Sequence, residues 1–237
     1  MVAAVSVAVV LPAVGSVFDR KLQKMKRAEK FFTEEEQSRI KAAVQACEAR
    51  TSGEVVPVIV DAAYDYPKAE IIGGGSFAIG FALFATWFYN GASHWIFPVI
   101  FLVLYYPCVL LIRFFPALKH ALISPVEFDA EVREKALVTF VEHGIYRTRG
   151  GSGILILISL FEHRVFVLAD AGINERVPLH TWEEIVAIVT KGIVEKHACD
   201  ALCQAISRCG DLLAHEFPRQ DDDHNELPDL IIGGRSR

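Results

Sequence analysis

Ile71-Ile-Gly-Gly-Gly-Ser-Phe-Ala-Ile-Gly-Phe-Ala-Leu-Phe-Ala-Thr-Trp-Phe-Tyr89, a short connection Asn90-Gly-Ala-Ser-His94, and Trp95-Ile-Phe-Pro-Val-Ile-Phe-Leu-Val-Leu-Tyr-Tyr-Pro-Cys-Val-Leu-Leu-Ile112 decide how the rest of the chain is read. Neither apolar run contains a charged residue. Each reaches the roughly 18 to 20 residues that a helix needs to cross about 30 Å of hydrocarbon. The stretch reads as a transmembrane hairpin, with helices at about 71–89 and 95–115; the competing reading is a pair of fully buried core helices in a larger soluble domain. In hydrocarbon every backbone polar group must be paired within the chain, so these runs are helices despite their many Phe, Ile and Val residues. Gly74, Ala78, Ala82 and Thr86 recur every four residues and give the first helix one small face, open to close approach by the second. Pro98 and Pro107 each remove a backbone donor from the second run. Trp87, Tyr89 and Trp95 flank the connection as an interfacial aromatic belt.

Outward from the hairpin, Lys68 precedes it, Arg113 and Lys119 follow it, and the connection carries only His94. An excess of basic residues on the cytoplasmic side then places both ends of the hairpin in the cytoplasm. The chain has 237 residues, of which the hairpin takes the segment 69–118, leaving enough for one soluble domain divided into 31–68 and 119–217. A net charge of -5 argues against a nucleic-acid surface. Five cysteines, an odd number with Cys108 inside the second run, do not form an exported disulfide set and fit a reducing compartment.

Residues 1–30 form a segment with three competing readings. Val2 to Val17 is apolar but short, contains Pro12 and lacks a basic leader, so it is a poor signal peptide, a further membrane-associated segment, or translation upstream of a start at Met25; the last is favoured. At the other end, 218–237 holds Asp221-Asp-Asp223 and Pro228 and reads as an acidic, solvated, weakly ordered tail.

Within the soluble domain, Thr33-Glu-Glu-Glu36 is a capping box, and Ile40, Ala43, Val44 and Cys47 follow on one helical face. Glu54-Val-Val-Pro-Val-Ile-Val-Asp61 is β-branched and short, a strand whose Pro57 suggests an edge or a bulge. Ser124-Pro-Val-Glu127 opens a second helix with Val132, Ala136, Phe140 and His143 on one side and Gly144 as its stop. Ile154 to Ser159 is a near-continuous apolar run, a strand covered on both faces, which pairs with Arg164 to Ala169 across a turn at Phe161-Glu-His163. Thr181-Trp-Glu-Glu184 is a third capping box, opening a helix with Ile185, Ile188, Val189 and Ile193 inward, and a last helix runs from about Asp200 past Leu202, Ile206, Leu212 and Leu213. Strands between helices make an α/β protein, a sandwich of helices about a sheet.

Chemistry is harder to place. The sequence has no Gly-Lys-Ser/Thr loop, no Gly-x-Ser-x-Gly elbow and no His-Glu-x-x-His helix. Arg147-Thr-Arg-Gly-Gly-Ser-Gly153 is basic and Gly-rich but leads into a strand, so it lacks the aligned amides of a helix-borne phosphate site. His197, Cys199, Cys203, Cys209 and His215 lie close in sequence, with Cys199 and Cys203 one helical turn apart; one reading is a metal site, but the spacing matches no usual zinc pattern, and the favoured reading is small core residues of an amphipathic helix. Glu162, His163 and Arg164 read as a solvated turn tip. Asp61 and Asp170 each close an apolar strand, with Asn174 and Glu175 in the loop after the second. In open α/β sheets ligands gather at the carboxyl ends of strands, and these oxygen ligands suit calcium or magnesium, provided the two strands are parallel neighbours. The alternative is that they are acids capping their own loops.

Phe31-Phe-Thr-Glu34, Thr51-Ser-Gly-Glu-Val-Val-Pro-Val58 and Ser152-Gly-Ile-Leu-Ile-Leu-Ile-Ser-Leu-Phe-Glu-His-Arg-Val165 resemble the TPM-domain family, over about Phe31 to Phe217 with the hairpin interrupting. The resemblance implies an α/β/α sandwich and, in bacterial members, a tether to the membrane; some members are described as acid phosphatases and some bind calcium. The resulting expectation is a multi-pass protein of the bacterial inner membrane. Its cytoplasmic TPM-like domain would serve as an interaction or cation-binding module, working through protein partners or a bound calcium or magnesium ion, the alternative being a membrane-tethered metal-dependent phosphatase.

Overall fold

The computed structural model describes residues 28–88, 95–148, 150–178, 180–219 and 227–233. They form two compact units, one made of residues up to 64 together with those from 129 onward, the other of residues 65–128.

The first unit is built on strands β1 (Glu54–Val60), β2 (Gly153–Ser159), β3 (Arg164–Ala169) and β4 (Ile231–Ile232), in the order β3-β2-β1-β4. β1 runs parallel to β2, with Val55 opposite Ile154 and Ile59 opposite Ile158. β3 returns antiparallel to β2. Every residue of β1, β2 and β3 is buried, so the apolar runs are continuous and do not alternate. Alternation survives as a choice of core. Val55, Ile59, Ile154, Ile156, Val165 and Val167 face one way, against α1 (Glu34–Glu48), α7 (His180–Val194) and α8 (Ala198–Glu216). Val56, Val58, Leu155, Leu157, Phe166 and Leu168 face the other, against Val132, Ala136 and Phe140 of α5 (Pro125–Glu142).

Local signals account for most boundaries. Thr33 and Glu36 close both halves of the capping box, the Glu36 N–H donating to the Thr33 hydroxyl at 3.2 Å and the Thr33 N–H to the Glu36 carboxylate at 2.8 Å. Gly144, at φ +69°, ends the segment after α5 in the left-handed conformation that favours glycine. Three expectations shift. His143 lies beyond the end of α5 and is exposed. α7 begins at His180, so Thr181 is a buried residue inside the helix and not its cap. The segment 227–233 is no solvated tail, because Ile231 and Ile232 pair in parallel with Val58 and Ile59; Asp221 to Asp223 lie outside the described residues.

Pro57 illustrates how the sheet tolerates a missing donor. The Gly233 N–H donates to the Ile59 carbonyl at 2.8 Å, so Ile59, and with it Pro57 two residues earlier, turns its backbone groups toward the β4 side. β4 pairs only with Val58 and Ile59 and does not reach Pro57. β1 is thus an inner strand along one stretch and an edge at Pro57, where proline costs no ladder bond.

The second unit holds α2 (Pro67–Phe88), α3 (Ile96–Phe114) and α4 (Pro116–Ala121); the connection 89–94 lies outside the described residues. Gly73, Gly74, Ala78 and Ala82 are the buried residues of α2, the small face expected from the sequence. A Cβ on Gly74 would stand 2.9 Å from the Val109 Cα and 2.4 Å from its Cγ2, so α2 and α3 pack backbone to backbone there. Pro107 lies inside α3, while Pro98 falls in its first turn, where no intrahelical donor is lost. At the base, Lys119 Nζ pairs with Glu70 Oε1 at 2.7 Å and also donates to the Asp65 carbonyl. Both helices are long and apolar enough to cross a membrane.

Candidate functional site

Because β1 and β2 are parallel and β3 is not, the two candidate aspartates finish at opposite ends of the sheet. Asp61 follows β1, where its carbonyl accepts the Phe161 N–H at 2.9 Å and its carboxylate accepts the Ala28 N–H at 2.6 Å. The Asp170 N–H donates to the Gly153 carbonyl at 3.0 Å, beside the beginning of β2. A seven-residue strand separates the two ends by about 20 Å. The four-residue cation site of Asp61, Asp170, Asn174 and Glu175 is therefore not assembled: its condition was parallel strands, and β3 is antiparallel.

Each member of the Asp170 group has local work instead. The Asp170 carboxylate accepts the Ala171 N–H at 2.6 Å, capping α6 (Ala171–Asn174). Asn174 donates to the Ala169 carbonyl at 2.8 Å and accepts from Trp182 Nε1 at 3.0 Å, which ties the buried indole to the end of β3. Glu175 is exposed and sits at the C-terminal cap of α6. The Gly-rich loop packs against the same turn: a Cβ on Gly172 would lie 2.5 Å from the Gly150 carbonyl oxygen and 2.8 Å from that of Gly151. Ser152 donates its N–H to the Thr148 hydroxyl and its own hydroxyl to the Ser52 carbonyl, each at 3.1 Å. The glycines thus serve contact within the fold. A carboxylate, that of Asp170, stands beside them.

The opposite end of the sheet carries a group that the sequence reading put in solvent. Glu162 has no exposed surface and Arg164 is 3% exposed. Glu162 Oε1 accepts the Ala63 N–H at 2.9 Å, and its Oε2 accepts the Ser159 hydroxyl. Arg164 donates through Nε to Asp129 Oδ1 at 2.6 Å and through a terminal nitrogen to the Glu162 and His163 carbonyls at 3.2 and 3.3 Å. His163 adopts φ +53°, which turns the chain tightly enough to point both neighbours inward. The signal available in sequence was the Ser-x-x-Glu spacing immediately after a fully apolar strand, since such a run leaves little water for the residues that close it. Ser159 donates its hydroxyl to a carboxylate and is 1% exposed, so it is closed to a substrate, and among the described residues no histidine bonds to it.

On α8, Cys199 and Cys209 are buried and Cys203 is half-buried, while Cys47 faces the same core from α1. Burial pushes the Cys47 thiol up to about 12 and that of Cys199 up to about 11, and it raises Cys209 further. Among the described residues no group of three or more His, Cys, Asp or Glu side chains is placed to hold a metal ion.

These features define a class: a mixed four-stranded α/β domain with helices on both faces, whose chain leaves after β1 to form two adjacent apolar helices and returns as α5. No family model matches the chain, and no curated protein matches it. Among solved structures it is similar to the NMR structure of BA42 protein from the psychrophilic bacteria Bizionia argentinensis sp. nov., with 20% identity and a TM-score of 0.53, over 87% of this chain and 97% of that one. At that identity the likeness concerns the fold alone.

Proposed function

We propose that this chain is a TPM-type α/β module held at the cytoplasmic face of a bacterial inner membrane by the α2–α3 hairpin, and that it works by binding a protein partner. One observation carries the membrane reading. Away from their mutual contact α2 and α3 expose large apolar side chains, Trp87 at 84% and Leu102 at 77% among them, and Trp95, just before α3, is 80% exposed. Core helices of a water-soluble protein bury such surface, and a contiguous apolar face of this size marks lipid or a partner. The basic flanks Lys68, Arg113 and Lys119 support the orientation. Binding is preferred to hydrolysis because the carboxylates expected to share a cation stand at opposite ends of the sheet and Ser159, at 1% exposed, is closed to a substrate.

Fractionation and labelling test both parts. The protein is expected to stay in the membrane pellet after alkaline carbonate washing, and its release would overturn the hairpin reading. In intact cells a cysteine at Ser93 should react with an impermeant thiol reagent while one at Glu127 should not; labelling at Glu127 would reverse the orientation.

A further inference from the structure

We propose that Cys199 and Cys203 form a two-coordinate thiolate site for a soft monovalent cation of the copper(I) class. The pair lies in the first unit, outside the two apolar helices, so the inference does not depend on the membrane reading. Cys199 is the second residue of α8 and Cys203 follows four residues later, which stacks the two side chains on one helical face with Cβ atoms about 5 to 6 Å apart. A linear sulfur–metal–sulfur unit needs sulfurs roughly 4.5 Å apart, twice a metal–thiolate bond of about 2.3 Å, and ordinary rotamers supply that from this spacing. Access is one-sided. Cys199 is 4% exposed, with its thiol directed at the Glu36 carbonyl of α1 at 3.7 Å, whereas Cys203 is half-buried and leaves the pair open on its own side.

The number of ligands selects the metal. Zinc takes four protein ligands in a structural site or three with water in a catalytic one, and among the described residues no third His, Cys, Asp or Glu completes such a set here. Two soft sulfurs alone suit copper(I), which accepts thiolate ligands in preference to harder donors. Binding breaks two S–H bonds, forms two Cu–S bonds and releases two protons to solvent without any change of oxidation state. The product is a monoanion. Arg39 of α1 stands beside it, its guanidinium paired with Asp200 at 2.5 Å, and the N-terminal end of α8 adds the positive end of a 19-residue helix. Glu36 and Asp200 are the carboxylates on the two elements that meet here.

The test is an anaerobic titration of the purified full chain with copper(I) in competition with a chromophoric copper(I) chelator. The wild type is expected to withdraw one equivalent of copper and to develop an ultraviolet thiolate-to-copper charge-transfer band. Cys203→Ser should withdraw none while melting as the wild type does, and Cys47→Ser should withdraw one equivalent. Copper uptake by Cys203→Ser equal to that of the wild type, or no uptake by the wild type, would overturn the site. Because Cys199 is buried and its variant can misfold, the half-buried Cys203 carries the decision, and Cys203→Ala repeats it without a hydroxyl.

Discussion

Glu162, at the turn between β2 and β3, keeps its carboxylate entirely within the fold. A charged residue at a turn tip is ordinarily hydrated, yet here the carboxylate receives both the Ala63 N–H and the Ser159 hydroxyl with no exposed surface of its own. Glu162→Ala is expected to cost about 2 to 3 kcal/mol in denaturant unfolding, since it strands two buried donors. Asp170→Ala should cost about 1 kcal/mol, the worth of a helix cap, and Glu175→Ala, at an exposed position, about 0.5 kcal/mol or less. The misplaced cation site has a cause that was readable in advance. A link as short as Leu160 to His163 can join only antiparallel strands, which already sends Asp170 to the end of the sheet away from Asp61. The strand assignments were right, and the inconsistency lay in asking β3 to be both a hairpin partner of β2 and a parallel neighbour of β1.

Among the elements, those with a strong period or a cap were legible from sequence: α1 with its capping box, the fully apolar β2, and the small face of α2. What sequence could not supply was the partner each face would meet. Gly74 and Gly80 look alike along α2, but a Cβ on Gly74 meets the Val109 backbone at 2.9 Å whereas one on Gly80 meets nothing within 4 Å. Gly74→Leu should therefore lower the melting temperature of the detergent-solubilised protein, and Gly80→Leu should leave it unchanged. Between α1 and α8 the buried thiols make a pH prediction. Cys47 and Cys209 have folded values raised above the ordinary 9.0, Cys47 to about 12, so the folded state holds protons that the unfolded state gives up. Their stabilising contribution is fully present below pH 9 and is lost as pH rises from there through about 12. Melting temperatures between pH 8 and 11 should fall less steeply for Cys47→Ala than for the wild type, and parallel slopes would contradict this.

At the scale of the molecule, the division of the chain into 65–128 and the remainder predicts that replacing Lys68 to Ser124 with a short Gly-Ser linker yields a soluble domain with a single cooperative melt. Two transitions, or none, would show that the sheet depends on the hairpin. That α/β character was visible in the alternation of apolar runs and capped helices, while β4 was hidden because two isoleucines beside Gly-Gly in an acidic tail carry no periodic signal. The strand order also sets a timetable for synthesis. β1 leaves the ribosome early, but its neighbour β2 is encoded about 100 residues later and β4 more than 170 residues later. At roughly 5 to 20 residues per second, a strand with seven buried residues waits on the order of 5 to 20 s for its first sheet partner, and that interval contains the synthesis of two long apolar helices. For those seconds Glu54 to Val60 is an unpaired apolar strand, so the yield of this protein depends on keeping it from other unfinished chains as well as on the energy of its finished core.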